Sequence, residues 1–235
     1  MIRNTYETRL FTLPISKQAH YGLRMYRQTL DARYSAAIWL DMARVASRLN
    51  YFAAEVATPD QIASYSRQRI ARYQENTDER SQRRYRAIEA MPEYLYVGVD
   101  LLRRMARLDE YGLKHKDDEV FRQIIRRHDF RTYATDKTMI RAWAAQLANQ
   151  VFRLRQLGEQ DVVEPFITAF RETYPDDADS RLSMNQLENK IYGMTHIILA
   201  ASELYQYPVR EEDYQWIFDY YRNNIGSILA TAKAD

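Results

Sequence analysis

Two short segments, far apart in the chain, contain residue types that can exchange protons and hold anions. The first contributes His20, Tyr21 and Arg24, and the second contributes Tyr192, Thr195 and His196. Spacings of three and four residues put the side chains of each segment on one helix face. Imidazoles can serve as acid and base near neutral pH, while a guanidinium can hold an anionic group. The sequence therefore predicts a candidate polar pocket.

A third helix start contributes Glu93 and Tyr94, beside Pro92, to the same candidate pocket. The competing interpretation is structural. His196 precedes Ile197, Ile198 and Leu199, so it is more typical of a buried histidine satisfied by one hydrogen bond. We therefore assign no catalytic role to any residue from the sequence.

Both histidine segments contain a Tyr-Gly pair followed by a long apolar residue, Tyr21-Gly22-Leu23 and Tyr192-Gly193-Met194, and Tyr96-Val97-Gly98 is a looser cousin. Glycine inside a helix costs about 1 kcal/mol relative to alanine. Its recurrence predicts close approach of a neighbouring helix. Tyrosine is abundant, with 19 copies, so a true repeat of helical hairpins and a chance match both stay open.

The segments 20–27 and 190–198 resemble an uncharacterised family of bacterial proteins of unknown function. The second segment is also similar to helix starts in α/α-hairpin proteins of the toroid type. This resemblance implies an α/α fold with an inner face open to a ligand. It implies no activity.

Scarce glycine and proline indicate helices, because sheets and hairpins need both for turns. The chain has six of each in 235 residues. Helical spacing of apolar residues predicts an all-α fold of about nine or ten helices, stacked as antiparallel α/α-hairpins in an arc or partial toroid. We expect one domain, residues 1–235.

Charge is divided unevenly along the chain. Lys+Arg outnumber Asp+Glu by 28 to 18 in residues 1–158, whereas acids exceed bases by 14 to 6 in residues 159–235. This polarity is typical of a nucleic-acid face, an acidic partner, or two parts that face each other in the fold. The last interpretation is favoured because both signs are interleaved.

The stretch 60–89 supports a nucleic-acid alternative, since tyrosines interleaved with arginines suit single-strand stacking. Its members are Tyr65, Arg67, Arg69, Arg72, Tyr73, Arg80, Arg83, Arg84, Tyr85 and Arg86. Five acids in the same stretch reduce the balance to +2. Internal ion pairs on a charged helix face are the better interpretation.

Metal and cofactor motifs are incomplete. His128-Asp129 matches the doublet of HD phosphohydrolases, but those enzymes need a further histidine upstream and an aspartate downstream. The acidic loop around Asp176, Asp177 and Asp179 lacks the glycine and the glutamate of an EF-hand, so a solvated loop is preferred. There is no cysteine, which excludes thiolate metal sites. No metal or cofactor is predicted.

The best hypothesis is a small-molecule or extended ligand bound on a concave face. The rival is a protein-interaction scaffold using Tyr207, Tyr214, Trp216, Tyr220 and Tyr221, although aromatics at this spacing are more often core. The chain has no 18-residue apolar stretch, so no membrane partner is expected. Cytosol and periplasm fit a cysteine-free chain equally well.

Overall fold

The fold consists of helices joined by short connections. A computed structural model describes residues 2–231, and no β-strand occurs within that range, which confirms the all-α class. Twelve α-helices and one π-helical segment are present among these residues. They are α1 (Ile2–Arg9), α2 (Ile15–Thr29), α3 (Ser35–Glu55), α4 (Pro59–Gln74), α5 (Glu79–Glu89), the π segment (Leu95–Leu102), α6 (Arg103–Glu110), α7 (Asp118–Arg126), α8 (Phe130–Thr135), α9 (Lys137–Gln156), α10 (Val163–Thr173), α11 (Met184–Ala201) and α12 (Gln215–Thr231).

Several helices begin where their sequences supply a side-chain cap. Thr58 and Gln61 form a capping box at the start of α4, and Ser183 and Gln186 form another at the start of α11. Asp136 accepts a 2.7 Å hydrogen bond from the Met139 amide at the start of α9. These caps satisfy amides that the first helical turn leaves without partners.

Helix α11 ends earlier than its apolar pattern predicts. The sequence suggests a helix to Tyr205, whereas α11 stops at Ala201. Glu203, Leu204 and Tyr205 follow with φ angles of 47°, 58° and 73°. The left-handed region costs a non-glycine residue about 1–2 kcal/mol. This strained turn carries the chain out of the helix direction.

The final predicted helix, 211–233, is also shorter than expected. Glu211–Tyr214 form a 3-10 turn, and α12 begins only at Gln215. Lys233 lies outside the described residues.

Helix α9 is the centre of the molecule. It packs against α5, α6, α8, α10, α11 and the π segment. Its backbone is kinked at Trp143, where φ is −132°. Asn189 donates to the carbonyls of residues 140 and 141, at 2.9 and 3.1 Å, and Arg84 donates to that of residue 142 at 3.3 Å. Side chains from α11 and α5 thus satisfy the carbonyls at the kink.

The Tyr-Gly glycines lie at close helix contacts, as predicted. A Cβ on Gly193 would fall 2.4 Å from the Phe170 ring and 2.9 Å from Ala144. On Gly22 it would lie 3.3 Å from both Ala37 and the Tyr34 carbonyl oxygen. Glycine is therefore retained because a neighbouring helix occupies the space of a side chain. The hairpin repeat, and its stacking as an arc or partial toroid, stay predictions.

Replacing Gly193 with alanine should lower the free energy of unfolding by about 1–3 kcal/mol, because the new methyl overpacks the contact of α11 with α9 and α10. Gly226→Ala is the matched control. It lies in α12 with nothing within 4 Å of an added Cβ, so it should gain up to about 1 kcal/mol from helix propensity. Urea unfolding followed by circular dichroism measures both. Equal effects of the two changes would contradict the close contact at Gly193.

Candidate functional site

An open pocket of about 620 Å³ lies between α2, α3, α6, α9 and the strained turn after α11. Six arginines line it, and all six belong to the basic part of the chain, residues 1–158. The charged and polar lining comprises Ser16, His20, Asp41, Arg44, Arg103, Arg104, Arg107, Asp109, Glu110, Asn149, Arg153, Arg155, Gln156, Glu203, Gln206 and Tyr214. Apolar wall is supplied by Val45, Ala106, Phe152, Ala200, Ala201 and Leu204.

The π segment holds Arg104, one of the arginines of α6. Asp100, at 3% exposure, accepts from Arg104 at 2.8 Å and from the Tyr65 hydroxyl at 2.8 Å, and it pairs with Arg69 at 3.1 Å. Arg103 follows directly and lines the pocket. The widened helical turn thus places a buried carboxylate one turn before the basic face of α6.

Asp41 fixes the wall opposite. This carboxylate is 1% exposed and accepts from Arg44 at 2.7 Å, Arg107 at 2.9 Å and the Tyr111 hydroxyl at 2.8 Å. Burial opposes its charge, but these three donors outweigh burial and lower the pKa of the Asp41 carboxyl. Arg107 also pairs with Glu110 at 2.5 Å. Both of its charged contacts hold it in place.

The pocket face of α9 carries Asn149 and Arg153, one turn apart. The Asn149 amide nitrogen lies 2.9 Å from Nδ1 of His196, which belongs to α11. Burial and the Arg153 charge lower the pKa of the His196 imidazole. His196 is therefore linked to the pocket through Asn149, and it is not part of the lining itself.

His20, a member of the candidate set named from the sequence, lines this pocket from α2. Although the residue is exposed at the pocket edge, the protein around its ring and the cations Arg24 and Arg107 lower the pKa of its imidazole to about 4. At neutral pH His20 is uncharged. It can accept or donate a hydrogen bond without adding to the positive charge of the pocket.

Arg24 lies behind the pocket mouth. Its Nη1 donates to the His20 carbonyl at 2.8 Å, and its guanidinium sits 5.2 Å from the centre of the Tyr205 ring. Burial lowers the pKa of Arg24, and Glu110 opposes that effect. Arg24 consequently ties α2 to the strained turn at the rim.

The other members of the predicted site lie elsewhere. Tyr21 stacks on Tyr6 with ring centres 5.4 Å apart, so it packs on the N-terminal helix. Tyr192 stacks on His196 at 6.3 Å, and the Thr195 hydroxyl lies 2.7 Å from that of Tyr221. None of these three lines the pocket.

Glu93 and Tyr94 also lie away from the pocket lining. Glu93 approaches Nε2 of His128 at 2.8 Å. Tyr94 is completely buried and donates to Gln150 at 2.8 Å. After Pro92, Tyr94 enters the core, whereas the Glu93 side chain is 39% exposed beside His128, and neither lies with the segments of His20 and His196.

The His128-Asp129 doublet is structural in this fold. Nδ1 of His128 lies 2.7 Å from the Ile124 carbonyl oxygen at the end of α7. Asp129 accepts from the Arg131 amide and caps α8. Within residues 2–231, no group of three or more His, Asp or Glu side chains is arranged to hold a metal ion.

The acidic loop forms ion pairs with a buried lysine and is not only solvated. Lys190 has a completely buried side chain, and its ammonium binds Asp176 at 2.8 Å and Asp179 at 2.7 Å. The same ammonium lies 4.2 Å from the centre of the Tyr220 ring. The cation bound by these two carboxylates is therefore the Lys190 ammonium of the protein itself.

The arginine-rich stretch is partly used inside the protein. Arg69 pairs with Asp100, and Arg84 stacks over Trp143 at 4.4 Å. Tyr65 is buried and Tyr73 packs on Trp143. Of the aromatics proposed for a scaffold surface, Tyr207 is exposed, Tyr220 is buried, and Tyr214, Trp216 and Tyr221 are half-buried. No described helix is long and apolar enough to cross a membrane.

Sequence reasoning missed the arginines that define the site. Arg103 and Arg107 share a face of α6, and Arg153 lies on α9, but arginines at such positions occur on any solvated basic helix. The one available signal was the basic excess of residues 1–158.

The fold and the pocket together define an all-α protein with an arginine-lined cleft. The chain belongs to the family DUF3541, a domain of unknown function, whose family model matches residues 1–235. This confirms the resemblance to an uncharacterised family. Searches of curated proteins and of solved structures gave no match.

We expect the His20 imidazole to titrate with a midpoint near 4 in NMR spectra of the folded protein. An unfolded histidine has a pKa near 6.5. Between pH 6.5 and 4 the unfolded chain therefore binds a proton at His20 that the folded state does not bind. The stabilising contribution of neutral His20 is then lost as the pH falls from 6.5 to 4. His20→Gln should assign the resonance and remove that share of the pH dependence. A midpoint at or above 6.5 would contradict the cationic surroundings.

The Lys190 cluster predicts an unequal response to removal of either side. Asp176→Asn with Asp179→Asn leaves a buried ammonium uncompensated and should cost about 3–5 kcal/mol of unfolding free energy. Lys190→Met should cost less, because Asp176 is 62% exposed and stays hydrated. Adding Lys190→Met to the double variant should recover stability. Denaturant unfolding tests this, and a triple variant less stable than the double one would refute it.

Proposed function

We propose that this protein binds a small anionic molecule in the arginine-lined pocket. The observation that carries the proposal is the state of Arg103 and Arg153. Both line the pocket, yet neither has a hydrogen-bond or ion-pair partner among the described residues. Arg103 is exposed to the pocket, whereas Arg153 is half-buried. A charge partly withdrawn from water without a partner is costly, so the Arg153 charge is retained where it serves a ligand.

The other four arginines of the pocket provide the contrast. Arg44 and Arg107 pair with Asp41, Arg104 pairs with Asp100 at 2.8 Å, and Arg155 pairs with Asp161 at 3.0 Å. These carboxylates fix the geometry of the four guanidinium groups. Arg103 and Arg153 are the two pocket arginines without such a partner among the described residues.

The pocket lining holds six arginines and four carboxylates, a net charge of +2 that favours an anion. Burial, followed by repulsion from Arg103, lowers the pKa of the Arg153 guanidinium to about 10. Arg153 still carries its charge at pH 7. A bound anion offsets the repulsion between Arg103 and Arg153. It also accepts charge-assisted hydrogen bonds from them, which are roughly twice as strong as neutral ones.

Size and lining fit a small molecule. Ligand pockets usually have volumes of about 300–1,000 Å³ and combine apolar walls with a few placed polar groups. Here the volume is about 620 Å³, with Phe152 and Leu204 among the apolar walls. These features support a compact ligand with one charged end.

Arg153→Met should abolish most of the anion affinity while the protein stays folded. Isothermal titration with phosphate, pyrophosphate and citrate at pH 7.5 and low salt should show affinity falling about tenfold to hundredfold, the value of one or two hydrogen bonds to a charged group. Removal of an unpaired buried charge should also raise the unfolding free energy by about 1 kcal/mol.

Arg67→Met is the control, because Arg67 is exposed on α4 and outside the pocket. It should leave affinity unchanged. Failure of the unaltered protein to bind any of the three anions, or equal losses in the two variants, would refute the proposal.

A further inference from the structure

Asn149 is a neutral polar group one helical turn before the unpaired Arg153 on the pocket face of α9. The two residues are one helical turn apart, so their Cβ atoms lie about 5–6 Å from each other. Both line the pocket. A ligand group held by Arg153 thus has the Asn149 amide within reach of its neighbouring atoms.

His196 determines which end of that amide stays available. Nδ2 of Asn149 lies 2.9 Å from Nδ1 of His196, whereas Oδ1 lies 3.3 Å from the same atom. The shorter contact pairs the amide N–H with the ring nitrogen as acceptor, which fits an uncharged imidazole with its proton on Nε2. Burial and Arg153 keep the pKa of that imidazole low. The Asn149 oxygen then retains lone pairs for a donor on the ligand.

A neutral hydroxyl suits this acceptor better than an ammonium. Arg103 and Arg153 repel a second positive charge placed beside them. Because the two guanidinium groups also repel each other, a group carrying two negative charges compensates them more completely than a carboxylate. A phosphate monoester carries about −1.5 to −2 at pH 7 and offers three acceptor oxygens.

We propose that the ligand is a phosphorylated polyol or sugar, whose phosphate is bound by Arg103 and Arg153 and whose adjacent hydroxyl donates to Asn149. This inference rests on the proposed anion binding and adds the class of ligand. His196 acts as a positioning residue, because it holds the Asn149 amide with its oxygen available.

A matched pair of ligands tests the inference by isothermal titration at pH 7.5. Sorbitol 6-phosphate and n-hexyl phosphate share a six-carbon chain and a phosphate, and they differ in the hydroxyl groups. Asn149→Leu should lower the affinity for sorbitol 6-phosphate about tenfold, the value of one lost hydrogen bond. It should change the affinity for hexyl phosphate less than twofold. Arg153→Met should weaken both ligands.

Asn50→Leu is the control variant, since Asn50 makes a 3.0 Å contact with another histidine, His115, outside this pocket. It should alter neither affinity. Asn149→Ala must reproduce the selective loss, and thermal unfolding establishes that each variant is folded. His196→Phe removes the ring acceptor. It should lower the affinity for sorbitol 6-phosphate more than the affinity for hexyl phosphate.

The outcomes separate the two proposals. If both phosphates bind, and Asn149→Leu weakens them equally or not at all, the hydroxyl assignment is overturned while anion binding stands. If neither phosphate binds the unaltered protein, both proposals fail. A selective loss with Asn149→Leu and Asn149→Ala, together with a shared loss with Arg153→Met, supports both.

Discussion

Burial of α9 on nearly every side is the constraint on which the rest of the structure depends. A helix that contacts six other elements needs partners for the carbonyls at a break, since neighbouring helices leave water little access to them. Arg84 and Asn189 supply those partners at the Trp143 kink. The kink in turn fixes the direction of the second half of α9, which carries Asn149 and Arg153 to the pocket.

Two charged groups of the pocket differ in whether the protein supplies hydrogen-bond partners for them. Asp41 receives three donors, so its carboxylate is stable and its position is fixed. The half-buried Arg153 guanidinium has no acceptor among the described residues, so keeping its charge costs stability. Rigid, neutralised walls around a small uncompensated centre are the arrangement that preorganised binding sites require, because the ligand need not reorganise its surroundings.

Much of the fold could be predicted from the sequence, because helix starts depend on local chemistry. The capping boxes at Thr58 and Ser183 need only neighbouring residues, and the glycine at 193 indicated a close contact before any partner was known. The end of α11 could not be predicted in this way. Its apolar pattern continues past Ala201, and the left-handed turn is held by hydrogen bonds to Ser202 and Leu199 that the apolar pattern does not indicate.

The candidate site was predicted only in part. His20 lines the pocket, and His196 is connected to it through Asn149. Glu93 joined the predicted set because it follows Pro92, but a helix start does not specify which side of the core a side chain enters. The arginines were missed for a related reason. Arg153 differs from a solvated surface arginine only in what surrounds it, and a single sequence carries no such information.

The turn at Glu203, Leu204 and Tyr205 has a consequence for how this family can diversify. All three positions have backbone angles that glycine adopts more readily than any residue with a side chain. Substitutions at the mouth of the pocket therefore exchange one strained side chain for another, or relieve the strain, and leave the packing of α9 unchanged. The shape of the pocket mouth can therefore change independently of the core that positions its floor.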